Sequence, residues 1–135
     1  MDFEAGGHQY VSSKMDAFTQ FHVARKLAPV VAEVLPILSK GIDLEKGITE
    51  IEPVMQAIAK MEETDVNYVL FACLAVVRRV QKGGGSVPIW NENARRLQFD
   101  DIEMPQMLQI AAYVLKDNLT SFMGAVPSSL TVTAK

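Results

Sequence analysis

The chain has 135 residues, enough for one domain with a real core and too few for a second domain to fit easily. Hydrophobic residues make up 49% and charged residues 21%, which excludes a disordered chain. With 13 basic against 16 acidic residues the formal net charge is -3, so a nucleic-acid binder, which needs surplus Lys and Arg at phosphates, is not expected.

The first ten residues, MDFEAGGHQY, have no basic region followed by an apolar one, so they do not read as a secretion signal. Phe3 and Ala5 lead into Gly6-Gly7, and Gln9-Tyr10-Val11 follow. Paired glycines permit the positive φ of tight turns, which predicts a β-hairpin arm over residues 1–14. A lone two-stranded ribbon is marginal in water, so the arm must lie on the helices or on a partner's edge.

A long helix is expected from Asp16 to Ser39. Its apolar residues recur as neighbouring pairs: Val23/Ala24, Leu27/Ala28, Val30/Val31, Val34/Leu35 and Ile37/Leu38. That spacing gives a broad apolar face at helical period. Pro29 and Pro36 fall on the polar side and predict a bend, or a division into two shorter helices. Gly41 is a plausible stop, followed by a polar connector, Ile42 to Ile48.

Thr49 stands three residues before Glu52, the spacing of a capping box. The helix behind it carries Ile51, Val54, Met55, Ile58 and Met61 on one face, with Pro53 in its first turn. Thr64 is the expected cap of a third helix running to about Lys82, with Val66, Val69, Leu70, Cys73, Leu74, Val77 and Val80 as its stripe. Arg78, Arg79 and Lys82 would then complement its C-terminal dipole. The longest apolar run, Tyr68 to Val77, is far short of the ~20 residues that a membrane span needs.

Gly83-Gly84-Gly85 lacks the spacing of a phosphate-binding loop and reads as a flexible connection. The stretch from Trp90 to Met104 has no clear period, apart from a short extended piece around Leu97 to Phe99. Pro105 opens a last helix to about Met123, with Gly124 as its stop and Pro127 just beyond. The tail after it is small and polar and is expected to fray.

These elements describe a mainly α protein: a single compact helical domain of about four to five helices with a short N-terminal β-hairpin. The domain spans residues 1–124, with a flexible C-terminal tail at 125–135.

Catalytic signatures are missing. His8 and His22 have no partners at metal-ligand spacing, and one cysteine builds none of the usual zinc sites. Cys73 sits among apolar residues, where burial makes a thiol inert. Asp100-Asp101 with Glu103 reads as a dipole match just before the last helix. No catalytic residue, cofactor or metal is therefore expected. Seven methionines are the less usual feature, since pliable side chains suit surfaces that repack around a partner. Candidate partner-binding residues on the apolar faces are Phe21, Leu27, Val34, Met55, Met61, Trp90, Met107 and Phe122.

The run Phe21-His22-Val23-Ala24-Arg25-Lys26-Leu27-Ala28-Pro29-Val30-Val31 resembles the first helix of the tail assembly chaperones of long-tailed bacteriophages and prophages. The layout around it is also similar. A Tyr10-containing strand precedes it, and an apolar helix from Asn67-Tyr68-Val69-Leu70 to Arg78-Arg79 lies in the middle. A glycine-rich, tryptophan-bearing loop comes next. Leu97-Gln98-Phe99-Asp100-Asp101-Ile102 then precedes a last helix with Met107-Leu108-Gln109-Ile110. The similarity spans about Tyr10 to Phe122.

The resemblance implies a non-enzymatic protein of the bacterial host cytoplasm that is absent from the mature virion. Its implied partners are the tape-measure protein, which it keeps soluble, and the tail-tube protein. Neither nucleic acid nor membrane is an expected partner. The broad apolar faces make a homo-oligomer a further expectation. The alternative is another phage structural adaptor or tail connector component.

Overall fold

The computed structural model describes residues 1–40 and 48–133, without the side chains of residues 48–51 and 120–133. The expected stop at Gly41 and most of the connector lie outside the described residues.

Strands β1 (Asp2–Ala5) and β2 (His8–Ser12) form the expected hairpin, with Phe3 opposite Tyr10. Gly6 and Gly7 make its turn at φ values of 58° and 82°, a region open to glycine at little cost. Asp16 then caps α1 (Ala17–Leu27), its carboxylate accepting the Thr19 amide at 2.8 Å. The chain breaks into a single 3-10 turn over Ala28–Val30 and resumes as α2 (Val31–Lys40). Pro29 cannot donate to the helical ladder, so the two-helix arrangement is the one adopted here. Pro36, by contrast, stays inside α2.

Helix α3 (Ile48–Ala59) begins one residue before Thr49, and the side chains of the expected capping box lie outside the described ones. Helix α4 (Glu63–Ala75) has Glu62, and not Thr64, at its N-cap position, with no side-chain capping hydrogen bond.

The third helix does not run to Lys82. It ends at Ala75, and Val77–Val80 forms strand β3, antiparallel to β2 with Tyr10 opposite Arg79. Val77 and Val80 fit a helical stripe, but Val77-Arg78-Arg79-Val80 is also rich in β-branched residues. In place, Val77 and Arg79 point inward and their neighbours outward, the two-residue alternation of a strand. Strand β4 (Ser86–Pro88) joins β3, giving an antiparallel sheet in the order β1-β2-β3-β4. Strands β5 (Trp90–Asn91) and β6 (Arg96–Leu97) make a separate small ribbon. The architecture is therefore mixed α/β, and not mainly α with only an N-terminal hairpin.

Helix α5 (Met104–Thr133) continues past Gly124 and Pro127, where a stop was expected. Its first half is the spine of the core. Phe3 stacks between Tyr10 at 5.6 Å and Tyr113 of α5 at 4.8 Å, which seats the sheet on this helix. Val23, Val30, Leu74, Val77, Ile110 and Val114 are almost fully buried around it. Among the described residues no helix is long and apolar enough to cross a membrane.

Candidate partner-binding surface

The paired apolar residues of α1 and α2 do not all face the core. Val30 is fully buried while Val31 is 41% exposed, and Val34 is half-buried while Leu35 is 39% exposed. Phe18 and Phe21 stand further out, at 80% and 58% exposed. A face built from neighbouring pairs is wider than one core can cover, so one member of such a pair turns outward.

The result is an apolar groove of about 180 Å³. Ala24, Ala28, Val31 and Leu35 line it with the more buried Leu27, Val34 and Leu38, and Leu119 contributes from α5. Phe21 lies one turn before Ala24, so the exposed apolar surface extends along α1. Contiguous apolar surface of this kind marks contact sites more often than scattered exposed residues do.

Ion pairs hold the groove's helices to their neighbours. Lys26 of α1 bonds Asp65 of α4 at 2.9 Å, and Glu33 of α2 pairs with Lys60, just past α3. The Lys60 hydrogen bond holds the Glu33 carboxyl below its ordinary range. Asn118 fixes the start of α1 to α5: its side-chain oxygen accepts the Met15 amide at 2.9 Å and Gln20 Nε2 at 3.0 Å, while its own amide donates to the Val114 carbonyl.

A second pocket of about 80 Å³ is lined only by apolar side chains, among them Val54, Met61, Val69, Leu108 and Leu115. Leu27, Val34 and Leu38 line both spaces. A larger cleft of about 810 Å³ opens between the start of α1, α4 and the β5–β6 turn. Tyr68, Phe71, Asn67 and Arg95 are among its lining residues. Arg95 sits over the Phe71 ring at 5.5 Å, with a φ of 55° that few non-glycine residues adopt.

The charges around β3 also differ from the sequence reading. Arg79 does not decorate a helix end. It is 7% exposed, and its guanidinium donates to both carboxylate oxygens of Asp101 at 2.7 and 2.8 Å. His8 approaches the same pair, and the Phe99 ring lies 4.4 Å from the Arg79 guanidinium. Asp101 is thus the anchor of an ion pair instead of a dipole match, and Arg79 holds its carboxyl down to about 2. Cys73 is fully buried, and burial pushes its thiol far up. No group of three His, Cys, Asp or Glu side chains that could hold a metal occurs among the described residues.

The eight residues singled out from sequence divide clearly. Leu27 and Val34 line the groove, and Phe21 is exposed on α1 outside its lining. Met61 joins Leu27 and Val34 around the second apolar pocket. Met55 is exposed on α3, and Met107 is half-buried against the core. Trp90 is 8% exposed, stacked on Phe71 at 4.7 Å and donating from its indole nitrogen to Glu92. The Phe122 side chain lies outside the described ones. Phe18, Val31, Leu35 and Leu119 were not singled out. The width of the paired pattern was the available signal for Val31 and Leu35.

A family model described as phage tail assembly chaperone protein matches residues 6–131. No curated protein and no solved structure matches the chain. The match spans β2 to β6, the groove helices and nearly all of α5, and on that basis the chain belongs to the phage tail assembly chaperone family.

Proposed function

We propose that this protein binds the tape-measure protein during tail assembly, holds its apolar helices in solution and presents it to tail-tube subunits. The observation that carries this reading is the exposed groove of α1 and α2, with Phe21, Val31 and Leu35 facing solvent in a member of a chaperone family. A helix-in-groove contact needs an apolar trough of this kind and anchors spaced at one helical turn. The work takes place in the host cytoplasm, and the protein leaves before the virion is complete. It requires no catalytic group, metal or cofactor.

Co-expression with the cognate tape-measure protein tests the reading. The tape-measure protein is expected in the soluble fraction with the wild-type chain and in the pellet with the Phe21→Asp/Leu35→Asp variant. Equal solubility with and without the chain would remove the holding mechanism. Finding the chain as a stoichiometric part of purified virions would instead make it a structural connector.

A further inference from the structure

The cleft of about 810 Å³ between the start of α1, α4 and the β5–β6 turn shares no lining residue with the α1–α2 groove. Thr64, Asn67, Tyr68, Phe71 and Ala75 recur in it at helical spacing, so one face of α4 runs along the cleft for about 16 Å. The Thr64 and Asn67 side chains have no hydrogen-bond partner among the described residues.

Four charged residues line the cleft, Lys14, Asp16, Glu92 and Arg95, and three of them are engaged. Asp16 accepts the amide and the hydroxyl of Thr19 at 2.8 and 2.9 Å, and Glu92 accepts the Trp90 indole N–H at 2.9 Å. Lys14 pairs with Asp117 at 3.3 Å. The Arg95 guanidinium has no hydrogen-bond acceptor and no ion pair among the described residues. Its contact is the Phe71 ring at 5.5 Å, and that ring stacks on Trp90 at 4.7 Å. Stacking holds a planar guanidinium in place while its N–H edge stays open to a carboxylate. Arg95 also keeps a φ of 55°, where glycine would sit without strain. An arginine held at a conformational cost on the wall of a cleft, with no acceptor for its donors, points to a ligand as its reason.

We propose that this cleft binds an extended peptide segment of a partner protein that carries one Asp or Glu beside an apolar side chain. The carboxylate takes paired N–H bonds from Arg95, the apolar side chain rests against Tyr68 and Ala75, and Thr64 and Asn67 bond the main chain. About five extended residues cover the length of the cleft. Asp16 and Glu92 disfavour a run of acids, so a single carboxylate is the fit.

A random octapeptide library selected on the immobilised chain provides the test. The wild type is expected to enrich sequences with one Asp or Glu next to an aromatic or aliphatic residue. A selected peptide, labelled, should bind Arg95→Gly about tenfold more weakly. Its amide counterpart, with Asn or Gln for the acid, should lose the same factor on the wild type and nothing further on Arg95→Gly. The glycine relieves the positive φ, so this variant should melt no lower than the wild type and its weaker binding is not unfolding. The Phe21→Asp/Leu35→Asp variant should keep the enrichment, which separates failure of this site from failure of the groove. No enrichment of acids, equal binding by Arg95→Gly, or displacement of the peptide by an equal concentration of free glutamate would overturn the proposal. A clear fall in the melting temperature of Arg95→Gly would overturn it too, since packing on Phe71 would then be the reason for the arginine. So would a wild-type dimer in sedimentation that Arg95→Gly converts to monomer, because a second copy would then fill the cleft.

Discussion

Arg79 on the third strand holds Asp101, in the loop before the last helix, through two hydrogen bonds of 2.7 and 2.8 Å. The arginine is buried and the carboxylate half-exposed, so the pair pins the loop to the sheet from inside. Two parallel N–H donors on one carboxylate fix orientation as well as distance.

This pair makes stability depend on acid. Asp101 gives up its proton more readily folded than unfolded, because the Arg79 hydrogen bonds favour the carboxylate. Its contribution is therefore complete above pH ~4, the ordinary aspartate value, and is lost as pH falls toward about 2. Urea melts of the wild type and Asp101→Asn between pH 2 and 7 should converge at the acid end and separate above pH ~4. Parallel curves across the whole range would refute this role.

Arg79 itself should be the costlier residue to change. Arg79→Ala removes a buried partner of Asp101 and His8 and the cation over Phe99, with an expected loss of about 2 kcal/mol in chemical denaturation. A loss under ~0.5 kcal/mol would show that the pair is energetically idle.

Asn118 should be irreplaceable by a residue of similar size. Asn118→Leu leaves the Met15 amide without its acceptor in a buried place and frees Gln20, at a cost of about 1–3 kcal/mol. Hydrogen exchange should quicken at the Met15 amide before it does in the centre of α4. Unchanged protection at Met15 would count against the clamp.

Two glycines should answer differently to alanine. At Gly6, φ is 58° and a Cβ would come within 2.9 Å of Gln106 Cγ, so Gly6→Ala should lower stability by about 1–2 kcal/mol. At Gly83 φ is ordinary and a Cβ would meet nothing within 4 Å, so Gly83→Ala should be neutral or stabilise by about 0.5 kcal/mol. Thermal melts of the two variants, side by side, check the ordering.

The sequence reading succeeded where structure is local. The Gly6-Gly7 hairpin, the break near Pro29 and the buried thiol of Cys73 each follow from a few adjacent residues. It failed at β3 because Val77 and Val80, three residues apart, continue the helical stripe, while the inward positions of the strand are Val77 and Arg79 and show no apolar alternation. What decides between them is β2, a strand distant in sequence whose edge is free to pair. The same distance concealed the Arg79–Asp101 pair, since neither residue announces the other. Of the small β5–β6 ribbon only an extended piece from Leu97 was expected, overlapping β6 at that residue, because two-residue strands carry no period. At the groove, periodicity correctly marked α1 and α2 as apolar but did not say which member of each pair faces outward. That division depends on where α4 and α5 press against them.

The order of the sheet also sets an order of events during synthesis. Strand β2 lies between β1 and β3, yet Tyr10 and its partner Arg79 are separated by roughly seventy residues of chain. A nascent hairpin emerging from the ribosome has no third strand to lean on until α4 and β3 have followed it out. Its exposed edge must therefore wait through the translation of more than half the protein, unless another chain covers it. A chaperone of this build is itself vulnerable to mispairing while it is being made, and its sheet completes only after the client groove's own helices have been synthesised.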